Sequence, residues 1–208
     1  MYTPASFRLD DAARVDEIIE RFPFATVIAH GPDGFEASPL PLLLDRERRE
    51  LVGHLARANP LARRLERGAD VLCIFQGPHA YVSPRWYVDP SNVPTWNYVH
   101  VHVTGPAKTF DDHGDLVRVL ETLVARFEQG ALAPWHLALP EEFLRGLTRA
   151  IVGFRVPMQK VEGKLKLSQN RSAEDAAGAR RGLAASADAA SREVAAWMRT
   201  LGIGGVPV

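Results

Sequence analysis

QGPHAYVSPRWYVDPSNVPTWNYVHVHVTG, residues Gln76 to Gly105, is the stretch from which the fold is read. Its end alternates: Val99, Val101 and Val103 point one way, and Tyr98, His100, His102 and Thr104 the other. A period of two marks a β-strand with one face in a core and one face polar enough to line a site or an interface. Pro78, Pro84, Pro90 and Pro94 punctuate the beginning, so Ala80 to Ser83 reads as a short strand and Pro84 to Pro94 as an excursion. Three of the four tyrosines (Tyr81, Tyr87, Tyr98) and two of the four tryptophans (Trp86, Trp96) fall here. Aromatic bodies with polar tips, hung between turn residues, build a flat-walled ligand slot or a subunit contact; the competing reading is an aromatic hairpin that only packs.

Outward from this stretch, short turns join further strands. Phe24 to His30 is a β-run, Gly31 to Gly34 a turn, and Phe35 to Leu44 the partner strand. Pro39 and Pro41 lack donors on one edge of that partner, which places it at a sheet edge or a bulge. Leu51 to Ala56, Val71 to Phe75 and Ala150 to Met158 bring the tally to about six strands. Asn59 caps a helix that begins at Pro60 and stops at Gly68. Asp111 and Asp112 cap an amphipathic helix with Leu116, Leu120, Leu123 and Phe127 on one stripe. Two Ala-rich helices, about Ala173 to Ala185 and Ala190 to Leu201, form the tail. Short links favour antiparallel pairing, and long alternating strands with few edges favour a small barrel over an open sheet. The expected class is α+β, mainly β, and not a doubly wound fold.

The 208 residues suffice for a sizeable core. Lys and Arg number 25 and Asp and Glu 25, a formal net charge of zero, which lacks the electrostatic footprint of most nucleic-acid binders. The single cysteine, Cys73, lies in the apolar run VLCIF, excludes an intrachain disulfide, and reads as a reduced core residue. No basic-then-apolar start occurs, nor any apolar run near the roughly 20 residues of a membrane helix. The expected setting is the cytoplasm.

Neither GxGxxG nor GxxxxGK[ST] occurs, so a phosphate would be held by side chains and a helix start. Gly53 to Pro60, GHLARANP, offers both: a strand end bearing His54 and Arg57, then a helix N-terminus at Asn59. The plainer alternative makes Arg57 a solvated turn residue and His54 a satisfied surface histidine. His100 and His102 are spaced for two metal ligands, with His79 or Asp89 as a third, against the reading of histidines on a polar strand face. Lys160, Lys164, Lys166 and Arg171 form a basic run that meets an anion or simply solvent. The tail helices lack a glycine turn and a basic recognition face.

Six motifs in order carry a resemblance: MYTPASF (1–7), SPLPLLLD (38–45), GHLARANP (53–60), IFQGPHAYVSPRWY (74–87), VPTWNYVHVHVTG (93–105) and KLKLSQNR (164–171). With these the chain resembles the PaiB-type, FMN-binding negative transcriptional regulators, a branch of the split-barrel flavin proteins that includes pyridoxamine 5′-phosphate oxidase. The resemblance implies a homodimer of six-stranded antiparallel split β-barrels with FMN at the subunit interface. The barrel would span 1–171, and 172–208 would be a helical extension packed on the same domain or on the partner. His54, Arg57 and Asn59 become candidates for the flavin phosphate, with Ser38 on the neighbouring strand under the ring. Trp96 is a candidate for the flat wall, and His100 for a polar contact from the partner subunit. Asn97, Lys166 and Gln169, inside matching motifs, complete the set. Leu-Ala-Arg stands where the oxidases carry consecutive Ser-Arg-Lys, which argues against pyridoxine-phosphate oxidation, and no catalytic residue is singled out. Three other readings stay open. They are a flavin-dependent oxidoreductase for a small flat substrate, a heme-binding split barrel through His54 or His100, and a repressor touching DNA with Lys164, Lys166 and Arg171.

Overall fold

In the computed structural model, which describes residues 1–205, the elements run as follows. β1 (Arg8–Leu9), α1 (Ala12–Arg21), β2 (Phe24–Gly31), β3 (Gly34–Pro41), β4 (Leu43–Asp45), β5 (Glu50–Ala56) and α2 (Pro60–Glu66) come first. Then come β6 (Asp70–Val82), β7 (Thr95–Pro106), β8 (Lys108–Phe110), α3 (His113–Phe127) and α4 (Glu141–Arg149). β9 (Ile151–Pro157), β10 (Lys160–Lys166), α5 (Ala173–Ala184) and α6 (Ala189–Thr200) complete the chain. Of the tail expected to reach residue 208, the last three residues lie outside those described.

The strands form two open sheets, ordered β1-β10-β7-β6-β2-β3 and β4-β5-β9-β8. This corrects the expectation of a mainly β, six-stranded split barrel. Ten strands are present, neither sheet closes on itself among the described residues, and helix and strand take nearly equal shares. The physical reason is visible at Leu42. β3 pairs with β2 from Gly34 opposite Gly31 to Pro41 opposite Phe24 and is the last strand of its sheet, so Pro39 and Pro41 sit on an edge. The chain then leaves that ladder. The Leu42 N–H bonds Pro23 O at 2.9 Å, its side chain is buried, and the next residues pair with β5 in the other sheet. The run 35–44 is thus two strands in two sheets. The opposite correction holds for the runs expected at Val71–Phe75 and Ala80–Ser83, which merge into one strand, β6, ending at Val82; adjacent Gly77 and Pro78 are both buried, and its alternation shifts there.

Two compact units can be described, Met1–Ile18 with Gln76–Val101 and residues from Glu162 onward, and Ile19–Phe75 with His102–Val161. In the second unit β5 pairs along its length with β9, and Val52 packs with Val119 and Leu123 of α3 beside Leu43 and Phe110. Phe127, expected on the buried stripe of α3, is exposed instead. Cys73 is fully buried, opposite Val27 in the ladder between β2 and β6, and burial pushes its thiol up to about 12. The native protein should therefore resist iodoacetamide at pH near 8 and take up one label only when unfolded, as read by mass; fast native labelling would contradict the buried placement.

In the first unit the excursion after β6 is fastened to α5. The indole of Trp86 lies where a Cβ at Gly182 would stand, and the Trp86 carbonyl where one at Gly178 would stand. Asp175, itself buried, accepts from Val88 N at 2.7 Å, Asp89 N at 3.2 Å and Asn92 Nδ2 at 2.8 Å. Arg171 bonds Asn92 and stacks its guanidinium over Tyr87. Burial of the Asp175 carboxyl opposes its charge, but the hydrogen bonds from Val88, Asp89, Ser172 and Asn92 outweigh it and hold its pKa below the ordinary 3.8. A depressed folded-state pKa contributes stability above the unfolded value, and that stability is lost as pH falls through the folded one. Amide-exchange protection at Val88 and Asp89 should hold at neutral pH, fall below pH 3.8, and be absent at all pH in Asp175→Ala. Protection that survives the substitution would remove the carboxylate as the anchor.

Candidate cofactor-binding site

The segment from Gly53 to Pro60 and the neighbouring β3 place three of the expected residues. His54 stands on β5 opposite Gly153 of β9. Its Nδ1 is buried without a hydrogen-bond partner among the described residues. Burial lowers the imidazole pKa below its usual 6.5, so at neutral pH the ring is uncharged, with one donor and one acceptor nitrogen. Asn59 is the N-cap of α2: its Oδ1 accepts from Leu61 N at 2.9 Å, and its Nδ2 donates to Ser38 Oγ at 2.9 Å. The Ser38 hydroxyl, nearly buried on β3, keeps its own proton to donate. Ser38 and Asn59 are therefore brought together, and Asn59 lies five residues along the chain from His54. The start of α2 is less open than the sequence suggested, because Asn59 takes the N–H groups of both Leu61 and Ala62, and Pro60 has none.

Arg57 is turned to the junction of α4 and β9. Its Nε donates to Arg149 O at 3.3 Å and an Nη to Ile151 O at 3.1 Å, and the carboxylates of Glu66 and Asp111 lie 3.6 Å away.

In the other unit Trp96, Lys166 and His100 share a sheet region with aromatic neighbours. Trp96 is half-exposed, with its ring 6.1 Å from that of His79 and 6.2 Å from that of Tyr81, the latter edge-on. Lys166 Nζ donates to Trp96 O at 2.7 Å and to Thr95 Oγ1. The ammonium groups of Lys164 and Lys166 lie 5.2 and 5.9 Å from the Tyr98 ring, and Tyr98 meets His100 edge-on at 5.3 Å. Burial, then the charges of Lys164 and Arg171, lower the Lys166 pKa. The grouping of His79 and Tyr81 with Trp96 was not legible, because they become its same-face neighbours only once β6 is known to be continuous.

Asn97 and Gln169 are engaged elsewhere. Asn97 is fully buried and donates to Ser168 Oγ at 3.0 Å and to Met198 Sδ at 3.8 Å. Gln169 accepts from Leu167 N and donates to Leu165 O, both at 2.6 Å, bridging its own turn, where Ser168 has a φ of 70°. No three His, Cys, Asp or Glu side chains gather to hold a metal among the described residues, and no described helix is long and apolar enough to cross a membrane.

Residues 1–160 match a family model described as "Putative FMN-binding domain". The chain is 34% identical over 179 residues to the protease synthase and sporulation protein PAI 2 of Bacillus subtilis (strain 168), across 84% of this chain and 85% of that protein. It is 32% identical over 165 residues to an uncharacterized protein of Aspergillus fumigatus, across 62% of this chain and 63% of the other. Among solved structures it resembles an FAD and heme binding protein of Mycobacterium smegmatis, with a TM-score of 0.61 at 20% identity over 76% of this chain and 73% of that one. A flavocytochrome of Azotobacter vinelandii gives a TM-score of 0.59 at 18% identity over 76% and 69%. At such identities the structural likeness shows the fold alone.

Proposed function

Because the chain belongs to the family of FMN-binding domains that includes PAI 2, we propose that it is an FMN-binding regulator of the PaiB type whose flavin meets the polar corner of Ser38, His54 and Asn59. The observation that carries the placement is the orphaned His54 Nδ1. A buried polar atom without a partner costs about 1–3 kcal/mol, and a ligand group that pairs with it recovers that cost. FMN is rich in such groups, in its ribityl hydroxyls, its phosphate oxygens and the polar edge of its ring. In this reading the Ser38 hydroxyl and the Asn59 amide, joined at 2.9 Å, offer the flavin further hydrogen bonds. An uncharged imidazole suits a hydroxyl of either sense. Bound FMN supplies redox chemistry that no side chain offers; the residues here bind and orient.

The same reading makes the protein a cytoplasmic homodimer. Supporting the subunit contact is the exposed aromatic patch of Tyr81 and Trp96 in the other unit, a kind of surface that proteins cover. Direct DNA contact draws less support: Lys164 is buried and donates to Tyr2 O, and Lys166 is held by Thr95 and Trp96.

The absorbance spectrum of freshly purified protein, followed by FMN titration, tests the reading. Flavin bands, or a saturable change on adding FMN, are expected. A colourless protein that leaves the FMN spectrum unchanged would sink it, and a Soret band would make it a heme protein. Anaerobic bleaching by NADH or NADPH would add an oxidoreductase activity.

A further inference from the structure

Independently of the flavin, we propose that the pocket beside the start of α3 and the end of α4 binds a phosphate-type oxyanion, as free phosphate or as the phosphate of a small ester. The pocket encloses about 290 Å³ and is lined by Arg57, Asp111, His113, Arg145, Thr148 and Arg149. Three guanidinium groups and an imidazole line it with one carboxylate, Asp111, while Glu66 and Glu141 reach the same cations from outside the lining.

The partners already present leave donors over. The Arg149 guanidinium has no hydrogen-bond or ion-pair partner among the described residues. Arg57 spends Nε and one Nη on the carbonyls of Arg149 and Ile151, and these bonds fix its plane. Its carboxylate neighbours, Glu66 and Asp111, stay at 3.6 Å, beyond the roughly 2.7–2.9 Å of a charge-assisted hydrogen bond. Arg145 is paired with Glu141 at 2.6 Å, one turn back on α4. Glu141 also lies 3.3 Å from His113 Nε2, so one carboxylate serves two cationic groups.

The pocket is also built rather than incidental. Thr148 is buried, and its Oγ1 lies 2.8 Å from His113 Nδ1, which sets the orientation of the imidazole. Arg145 and Arg149 follow each other at i, i+4 and so share one side of α4. Guanidinium groups bind phosphate oxygens in a two-pronged geometry that ammonium groups cannot reproduce. The volume is at the small end for ligand pockets, which run from about 300 Å³ upward, and suits a small metabolite rather than a dinucleotide.

The test uses the full chain, loaded with FMN, and titrates inorganic phosphate at constant ionic strength while the His113 ring resonances are followed by NMR. A saturable shift with phosphate, and none with chloride, is expected. It should disappear in Arg149→Gln and in Arg145→Gln, return in part in Arg149→Lys, and leave the flavin spectrum unchanged throughout. A shift that is the same in chloride, never saturates, or persists in Arg149→Gln would overturn the site. A response to malonate and not to phosphate would overturn the ligand class. Loss of flavin in Arg149→Gln would put the flavin's own phosphate in this pocket, which overturns a separate site while leaving FMN binding intact. If the purified chain takes no flavin at all, the proposed function fails, and the phosphate titration on the same chain still decides this inference.

Discussion

Asn59→Asp is expected to weaken FMN binding roughly ten- to a hundredfold while changing folding stability by no more than about 0.5 kcal/mol. The two effects separate because the two ends of the Asn59 side chain do different work. Oδ1 caps α2 by accepting from Leu61 N at 2.9 Å, and aspartate is as good a cap as asparagine. Nδ2 donates to Ser38 Oγ at 2.9 Å, and aspartate has no donor to put there. The Ser38 proton would then turn toward the new carboxylate and away from a ligand, and the added negative charge would oppose a phosphate. Asn59→Ala should instead lower stability by about 1 kcal/mol through the lost cap, together with the flavin. Flavin fluorescence titration and urea unfolding, run side by side on the two variants, make the comparison. Wild-type FMN affinity in Asn59→Asp would remove this corner from the flavin site.

Much of this corner was legible in the sequence. Asn before Pro after a β-run is a cap with a mechanism, and the side chain does cap. The prolines of β3 announced an edge, and β3 lies at one. What the sequence did not disclose was set by distant partners. Arg57 is oriented by two carbonyls 92 and 94 residues further along the chain, which no local pattern encodes. The barrel failed for a related reason. Alternation tells which face of a strand is buried but not whether the sheet closes, and that depended on joints where the chain changes sheet, such as the buried Leu42. Asn97 is a different case, since its signal was present and went unused. It has the same parity as Val99, Val101 and Val103, so it belongs to the core side of β7, where the structure finds it fully buried.

Phe154→Ala should destabilise the protein by about 3–5 kcal/mol, the largest single-residue effect expected here, because the ring is fully buried on β9 and its loss leaves a cavity in the core. The more informative experiment adds its cross-strand partner. Gly53 stands opposite Phe154 in the β5–β9 ladder, and a Cβ placed there would lie 3.0 Å from Cζ and 3.2 Å from Cε1 of the ring, and 2.7 Å from Leu42 Cδ2. Gly53→Ala alone therefore overpacks the site and should cost about 1–3 kcal/mol. In the Phe154→Ala background the ring contact is gone, and the new methyl group occupies part of the cavity. The double variant should be more stable than the sum of the two losses predicts, with a coupling of about 0.5–3 kcal/mol; the Leu42 contact keeps the rescue partial. Urea unfolding of the four proteins gives that coupling directly, provided the slope with denaturant stays constant across them. Simple additivity would mean that the ring is not what keeps position 53 a glycine. Because Gly53 immediately precedes His54, a displaced β5 would also move the imidazole, so Gly53→Ala should weaken FMN binding and Phe154→Ala/Gly53→Ala should restore part of it.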